Sequence, residues 1–545
     1  VVTRQKEGWF KLWGPPGTGK TWRMMTETRG LIEAGYLPER ISLCSFTNDA
    51  ADEIRMRLSR DLEFDKEQMR YVGTIHAQAL KLLGWRDLGM KAVYDKDALE
   101  RFFRAERIRY KPRQRSAKPE TTFDEVDMLD DEDEGSYCIA FWDWYRSTNK
   151  PNDTDYFEQE IHNFPGGLLN DEVYASLALL ERFVPRYETW KTDEQRWDFS
   201  DLLAGALEPK ARTPEIDVLI VDECQDLSPL LWDVINHWSR GIKTRWLAGD
   251  PNQAIYVFQG AEPERFATQY GDWVYLDRSY RLEEQAVQYA LQILRECTDY
   301  APFPWFGIED GTERELPDDE ALLFRTGRLL RDAAAELRRR GVPYRVLRGS
   351  RPLETKHAKA VRYALELGEH NFTTTADLLA ISDLISQQGD QRNQWLLWGT
   401  HDKLEKLVKQ EQRPQMIGIG DLDQYGVTSA FATLLAEQRP WDAFRKVDAE
   451  NLHYYREVFR KYGLSGFTDT PRLTLSTIHR TKGREWSKVQ VMADWAIRPF
   501  RALHGSEWDA EHRVAYVAVT RARARTVIVP RPYANNFPFP LKVAA

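Results

Sequence analysis

Eight consecutive residues, Gly14 to Thr21 (GPPGTGKT), have the types and spacing to hold a phosphate. In the pattern G-x-x-x-x-G-K-[ST] the glycines let backbone N–H groups turn toward anionic oxygens, with Pro15, Pro16, Gly17 and Thr18 at the variable positions before Gly19. Lys20 adds a point charge, and Thr21 offers a hydroxyl to Mg2+. A short apolar run precedes the loop and a helical pattern follows it, so a helix N-terminus adds partial positive charge. A second constellation stands at Val218 to Glu223, VLIVDE. An apolar strand ending in two carboxylates puts them at the C-terminal edge of a sheet, beside the phosphate loop. There Asp222 can hold Mg2+ through water while Glu223 polarises an attacking water. A buried strand ended by a helix-capping Asp would leave the same letters; the phosphate loop upstream, in the right order, favours hydrolytic chemistry. Cys224 has no His base adjoining it in sequence and reads as a buried strand-end thiol.

These residues need a frame, and the pattern around them is strand–helix alternation. KLWGPPGTGKTWRMM, ISLCSFTN followed by DAADEIRMRL, and YVGTIHAQALKLL each read as an apolar strand passing into a helix. Alternation returns at PEIDVLIVDECQD and TRWLAGDPNQ, then at WVYLDRSY, ALLFRTG, VPYRVLRG, RLTLSTIH, KVQVMADW and TVIVP. Two stretches break it. Residues 91–197 carry a basic patch (Arg107 to Lys118), an acidic run (Asp124 to Glu134) and aromatic-rich helical segments such as FWDWYRS; residues 351–470 are mostly helical and charged. The expectation is an α/β chain with two α/β domains, each interrupted by a mainly helical insertion. The boundaries are 1–90 with 198–272, insertion 91–197, 273–350 with 471–545, and insertion 351–470.

A series of strings in fixed order then identifies a resemblance. After the phosphate loop come SFTNDAADEIRMRL, YVGTIHAQAL, WDFSDLL, VDECQD, LAGDPNQAIYVFQGA, LDRSYRL, LSTIHRTKGREW and YVAVTRARAR. Together they resemble a superfamily 1 DNA helicase of the UvrD/Rep type, over Gly14 to Arg525. The resemblance implies two RecA-like P-loop motor domains that close on ATP and Mg2+. Gln253 resembles the family's γ-phosphate-sensing glutamine. Arg281 and Arg521 resemble the arginines that reach the γ-phosphate from the second motor domain, where a planar fork binds phosphate bidentately. Tyr280 resembles the aromatic that stacks on adenine, and Glu485 the carboxylate that contacts ribose.

The resemblance also implies a path for single-stranded DNA along Phe46, Thr74, His76, Phe258, Thr477 and His479. Aromatic faces stack on any base, while hydroxyls and imidazoles can meet phosphates. For Phe46, His76 and His479 a place in the core is the competing reading. Implied with it are 3′→5′ translocation, action on single strands and single/double-strand junctions, and insertions that touch duplex. KPRQRSAK (Lys111 to Lys118) is a candidate duplex contact, with a solvated loop as its alternative. A translocase that strips proteins while unwinding little is one alternative function, and a silent DNA-binding scaffold another. Lys20, Asp222, Glu223, Gln253, Arg281 and Arg521 are all present, which disfavours the scaffold. Two departures stand out. The family usually has Trp-Arg where this chain has Phe258-Gln259, and its adenine-reading glutamine has no match, because Gln5 lies too close to Gly14.

Composition bounds the rest. At 545 residues the chain is too long for one core. Lys+Arg 76 against Asp+Glu 85 gives −9, not the balance of a polybasic nucleic-acid binder. Yet the acidity is local: residues 124–134 hold eight carboxylates and no Lys or Arg, whereas 321–351 carry nine Arg against two acids. A local basic track suffices for a translocase, because the strand must also be released. The four cysteines form no CxxC, so neither zinc nor a disulfide framework is indicated. No apolar stretch approaches the length of a membrane span and no signal peptide opens the chain, so the expected protein is soluble and cytoplasmic, with no membrane partner.

Overall fold

The computed structural model describes residues 7–84, 89–93, 95–111, 133–150, 156–164, 173–312, 314–349, 351–385, 395–397, 399–410, 413–495, 508–532 and 534–540. Gln5, residues 112–118 of the basic patch and most of the acidic run lie outside them. The chain is mixed α/β and divides into two compact units. One comprises residues 1–316, 325–327 and 481–545; the other comprises 317–324 and 328–480.

The first unit is built on a six-stranded parallel sheet. Its strands are β1 (Gly8–Trp13), β2 (Ile41–Ser45), β3 (Val72–Thr74), β4 (Val218–Val221), β5 (Thr244–Gly249) and β6 (Asp272–Tyr275), in the order β3-β2-β4-β5-β1-β6. Helices α1 (Lys20–Glu33), α2 (Asn48–Asp61) and α3 (Ile75–Leu82) follow the first three strands. Strands β2, β4 and β5 are buried throughout; β4 (VLIV) reads as an unbroken apolar run, whereas β2 (ISLCS) and β5 (TRWLAG) bury polar side chains as well. Side-chain caps start α2 and α3: Thr47 Oγ1 accepts from Ala50 N and Thr74 Oγ1 from Ala77 N.

Between β3 and β4 the chain leaves the sheet for α4 (Lys96–Ala105), α5 (Glu134–Ser147) and α6 (Val173–Asp193), then returns through α7 (Phe199–Leu207). Phe102, Phe103, Phe141, Trp142, Tyr145, Phe183 and Tyr187 pack this insertion into its own aromatic core. The return is pinned by charge. Lys191 lies 2.6 Å from Asp198 and 2.7 Å from Asp201, and Asp198 and Asp201 form a capping box at the start of α7. Helix α8 (Pro229–Trp238) then links β4 to β5, and strand β7 (Arg278–Glu283) follows β6.

The second unit contains three parallel strands, β8 (Glu320–Phe324), β9 (Arg345–Val346) and β10 (Leu473–Thr477), with β10 between the other two. It also holds helices α9 (Gly327–Arg339) and α10 (Ala449–Tyr462), and an antiparallel pair, Phe372–Thr374 with Met416–Gly418. The chain then re-enters the first unit. There β11 (Trp486–Met492) pairs in parallel with β12 (Ala522–Val529), and α11 (Trp508–Val519) lies between them in sequence. Among the described residues no helix is long and apolar enough to cross a membrane.

Candidate nucleotide site

The phosphate loop joins β1 to α1 and turns on two left-handed glycines, Gly17 (φ +76°) and Gly19 (φ +84°). Side chains are excluded there by more than backbone strain: a Cβ on Gly17 would lie 2.6 Å from Ser279 Oγ and 2.7 Å from Arg281 Cβ. Lys20 Nζ donates to the Gly14 carbonyl at 2.7 Å, curled across its own loop. Strand β7 is tied to that loop, since Tyr280 N donates to the Gly17 carbonyl (2.8 Å) and Ser279 Oγ to that of Pro16 (3.3 Å). The Tyr280 ring itself is 73% exposed and open to a ligand.

The carboxylates sit just past β4. Asp222 is buried, and burial together with Glu223 pushes its carboxyl up to about 7. One of its oxygens accepts from Glu223 N at 2.9 Å, and the other makes no hydrogen bond among the described residues. Among the described residues the Thr21 hydroxyl likewise makes no hydrogen bond. A buried carboxylate and a hydroxyl, both hard oxygens awaiting a compensating charge, fit Mg2+. Glu223 holds a left-handed backbone (φ 57°) that turns the chain sharply after the strand. Burial would raise its carboxyl, but Lys482 and Lys20 outweigh that and hold it below the usual carboxylate range.

Residues distant in sequence converge on this turn. Lys482 Nζ pairs with the buried Asp226 carboxylate, lies 3.8 Å from Glu223 and donates to the Gln253 carbonyl at 2.9 Å. Gln253 Nε2 donates to Asp250 Oδ2 (2.9 Å), while its Oε1 faces Arg521 Nη2 at 3.5 Å. Arg521 is buried, and burial, then Arg281, lowers its guanidinium to about 9, still charged near neutral pH. Asp250 also accepts from Trp13 Nε1 (3.1 Å) and Tyr516 Oη (3.4 Å). Arg281 and Arg523 share one carboxylate, Glu485, at 2.7 and 2.6 Å. Glu485 is thus engaged by two arginines, where family resemblance assigns it to ribose.

The nucleotide set is therefore brought together: Lys20, Thr21, Asp222, Glu223, Gln253, Tyr280, Arg281, Glu485 and Arg521 belong to one compact unit. Letters alone missed Lys482, Asp226 and Arg523. The first stands in TKGREW, the second ends VDECQD and the third lies in TRARAR, so each was available as a charged residue inside a quoted string. Cys224 is fully buried with its Sγ 3.4 Å from the Val221 carbonyl, and burial pushes its thiol well above the ordinary range. Among the described residues one trio has metal-ligand proximity, Cys297, Asp299 and Asp509. Asp509, however, already accepts from Thr298 and Asp299, and Asp299 pairs with Arg513.

The strand-path residues are less uniform. Phe46 is 8% exposed, its ring 5.3 Å from that of Tyr256. The His76 ring packs edge-on to Phe199 at 5.3 Å, and burial lowers it to about 4, so it is neutral at pH 7. Thr74 is spent as the cap of α3. Thr477 and His479 belong to the second unit and are buried. Phe258 remains partly exposed on a short loop steered by the insertion: Ser147, in the last residue of α5, donates to the Gln259 carbonyl at 2.8 Å. Gly260 (φ +85°) ends that loop, and a Cβ there would lie 2.5 Å from Ser147 Oγ.

A parallel sheet with a lysine-bearing glycine loop at a strand end defines a P-loop nucleotide-binding protein. Residues 2–273 match the family model for the UvrD/REP helicase N-terminal domain, and residues 457–530 that for the UvrD-like helicase C-terminal domain. The chain belongs to the UvrD/REP helicase family. Among curated relatives, the putative ATP-dependent DNA helicase YjcD of Bacillus subtilis is 21% identical, across 95% of this chain and 76% of its own. The ATP-dependent DNA helicase PcrA of Staphylococcus epidermidis is 20% identical, across 96% and 81%. The ATP-dependent DNA helicase UvrD2 of Mycobacterium tuberculosis is 26% identical across 61% of this chain, which spans about half (51%) of that protein.

Proposed function

We propose that this chain is an ATP-driven, 3′→5′ single-stranded DNA translocase that separates duplex DNA, built from two RecA-like motor domains with helical insertions. As a member of the UvrD/REP family it is an ATP-dependent DNA helicase enzyme. The observation that carries the finer reading is Lys482 joining Glu223, Asp226 and the Gln253 carbonyl, with Arg521 at the amide of the same glutamine. Such a relay lets one phosphate be felt by base, sensor and arginine together.

In this reading, the loop amides and Lys20 hold the β- and γ-phosphates. Thr21 and Asp222 would hold Mg2+, which would supply charge neutralisation at the phosphates. Glu223, kept ionised by Lys482, takes a proton from the attacking water. Gln253 orients that water, and Arg521 and Arg281 neutralise charge on the transferring phosphoryl. Arg281 also pairs with Glu485, so a nucleotide phosphate must compete with that carboxylate for it. Tyr280 stacks on the base. Phe258 carries the change to the strand, since its loop lies five residues beyond Gln253; Phe46, Thr74, His76, Thr477 and His479 complete the path.

Lys20→Ala tests the assignment. Single-strand-stimulated ATP hydrolysis should fall to background while single-strand binding by anisotropy stays near wild type. Retained turnover would overturn the nucleotide site. Strand separation from 3′- and 5′-tailed duplexes, measured beside hydrolysis, distinguishes a helicase from a translocase that unwinds little and reports polarity.

A further inference from the structure

The loop Tyr256 to Ala261 runs between the nucleotide site and the insertion, with Phe258 at its centre. It is closed on itself: Gln259 N donates to the Tyr256 carbonyl (2.9 Å), Gly260 N to that of Val257 (2.9 Å) and Ala261 N to that of Tyr256 (3.3 Å). A turn bonded in this way moves as one piece, so whatever fixes its ends sets how the Phe258 ring is presented. One end belongs to the nucleotide site. The Tyr256 ring lies 5.3 Å from that of Phe46 and 6.1 Å from that of Phe258, and the Lys482 ammonium stands 5.4 Å over it. That ammonium is the one that pairs with Asp226 and donates to the Gln253 carbonyl.

The other end rests on the last turn of α5, in the insertion. Ser147 ends that helix, and its hydroxyl lies between two carbonyls, that of Trp144 at 2.7 Å and that of Gln259 at 2.8 Å. The Trp144 carbonyl already accepts from Thr148 N (3.1 Å), whereas Ser147 is the only donor to the Gln259 carbonyl among the described residues. A hydroxyl has one proton, and the acceptor otherwise left bare gains more from it. Gly260 sits against the same turn: a Cβ there would lie 2.5 Å from Ser147 Oγ, 3.1 Å from Thr148 Cγ2 and 3.7 Å from Trp144 Cδ1. Only glycine lets the loop backbone come so close. The seat itself is firmly held. Trp144 and Tyr145 are buried in the aromatic core of the insertion, Arg146 pairs with Asp201 of α7 (3.0 Å), and Asn149 Nδ2 donates to Asp233 of α8.

We infer that Ser147 is a positioning residue for DNA-stimulated hydrolysis: from the insertion it holds the Gln259 peptide and so sets the presentation of Phe258 to the strand. This rests on reading Phe258 as a strand contact. Without the hydroxyl, the Gln259 carbonyl loses its donor and the turn is free to leave its seat. The fraction of molecules presenting Phe258 falls, and the apparent affinity for the strand falls with it. The nucleotide residues keep their own partners, so hydrolysis without DNA does not change.

The test compares the full chain with Ser147→Ala, Ser147→Thr, Phe258→Ala and the Ser147→Ala/Phe258→Ala double variant. ATP hydrolysis is measured without DNA and across a titration with oligothymidylate, beside a thermal melt of each protein. Ser147→Ala should raise the half-saturating oligothymidylate concentration by roughly 2- to 10-fold, the span of one neutral hydrogen bond. DNA-free turnover, its KM for ATP and the melt should stay at wild type. Ser147→Thr keeps a hydroxyl and should restore the wild-type titration. On the Phe258→Ala background, Ser147→Ala should add nothing, because it acts through that ring. A wild-type titration in Ser147→Ala overturns the inference, as does a threonine variant no better than alanine. Additive losses in the double variant, or a fall in DNA-free turnover that matches the fall in the stimulated rate, make α5 a structural prop only and overturn it too. In each of these cases an impaired Phe258→Ala leaves the strand-path reading standing; an unimpaired Phe258→Ala sinks that reading and the inference together.

Discussion

Replacing Lys482 by Met keeps the length of the side chain and removes the cation that Asp226 contacts. The Asp226 side chain is fully buried, and burial lifts its carboxyl to about 7 even though Lys482 pulls it down. Without the lysine, the carboxylate stays buried with Glu223 as its charged neighbour. Breaking a buried pair from one side costs about 3–5 kcal/mol. At roughly 2 °C per kcal/mol for a large domain, the thermal midpoint should fall by about 6–10 °C. The loss should be larger at pH 8 than at pH 6, because a protonated Asp226 can remain buried and a charged one cannot. The same lysine stands 3.8 Å from Glu223, an attraction of about 4 kcal/mol at an effective dielectric near 20. Its removal should therefore move the acid limb of DNA-stimulated hydrolysis to higher pH, since the base must be ionised to act. Thermal melts at the two pH values and a hydrolysis pH profile read both effects. Adding Asp226→Asn should restore most of the stability and leave the acid limb displaced. A Lys482→Met protein that melts like wild type at both pH values would refute the reasoning, as would a double variant no more stable than the single one.

Two further outcomes follow from the same geometry. Asp222 and Asp226 are both raised to about 7 by burial, so each binds its proton more tightly folded than unfolded. Their contribution to stability is present below about pH 4 and lost as pH rises toward 7. In nucleotide-free protein, Asp226→Asn should then lose less stability than wild type between pH 5 and 8 in chemical denaturation; parallel curves would contradict the assignment. Phe258→Ala should lower DNA-stimulated hydrolysis well below wild type while nucleotide affinity holds. An unchanged stimulated rate would remove Phe258 from the strand path.

Where function depends on neighbours in sequence, letters were enough. The phosphate loop works through backbone amides and a lysine within eight residues, so GPPGTGKT specifies its own geometry, down to the left-handed glycines at 17 and 19. The buried run VLIV is legible for the same reason: its pattern is complete within one strand. Letters left Phe46 and His76 open between core and strand path, because Tyr256 and Phe199, which meet them, come from far along the chain.

What the sequence determined by itself is the chemistry on offer: an anion loop, two carboxylates at a strand end, a glutamine, and arginines in ordered strings. Tertiary structure alone decided how those charges are spent. Lys482 lies 256 residues from Asp226, and Arg281 lies 204 from Glu485. Coulombic and hydrogen-bond energies act over a few ångströms, so such pairs exist only once sheet order and the re-entry of residues 481–545 into the first unit bring them into contact.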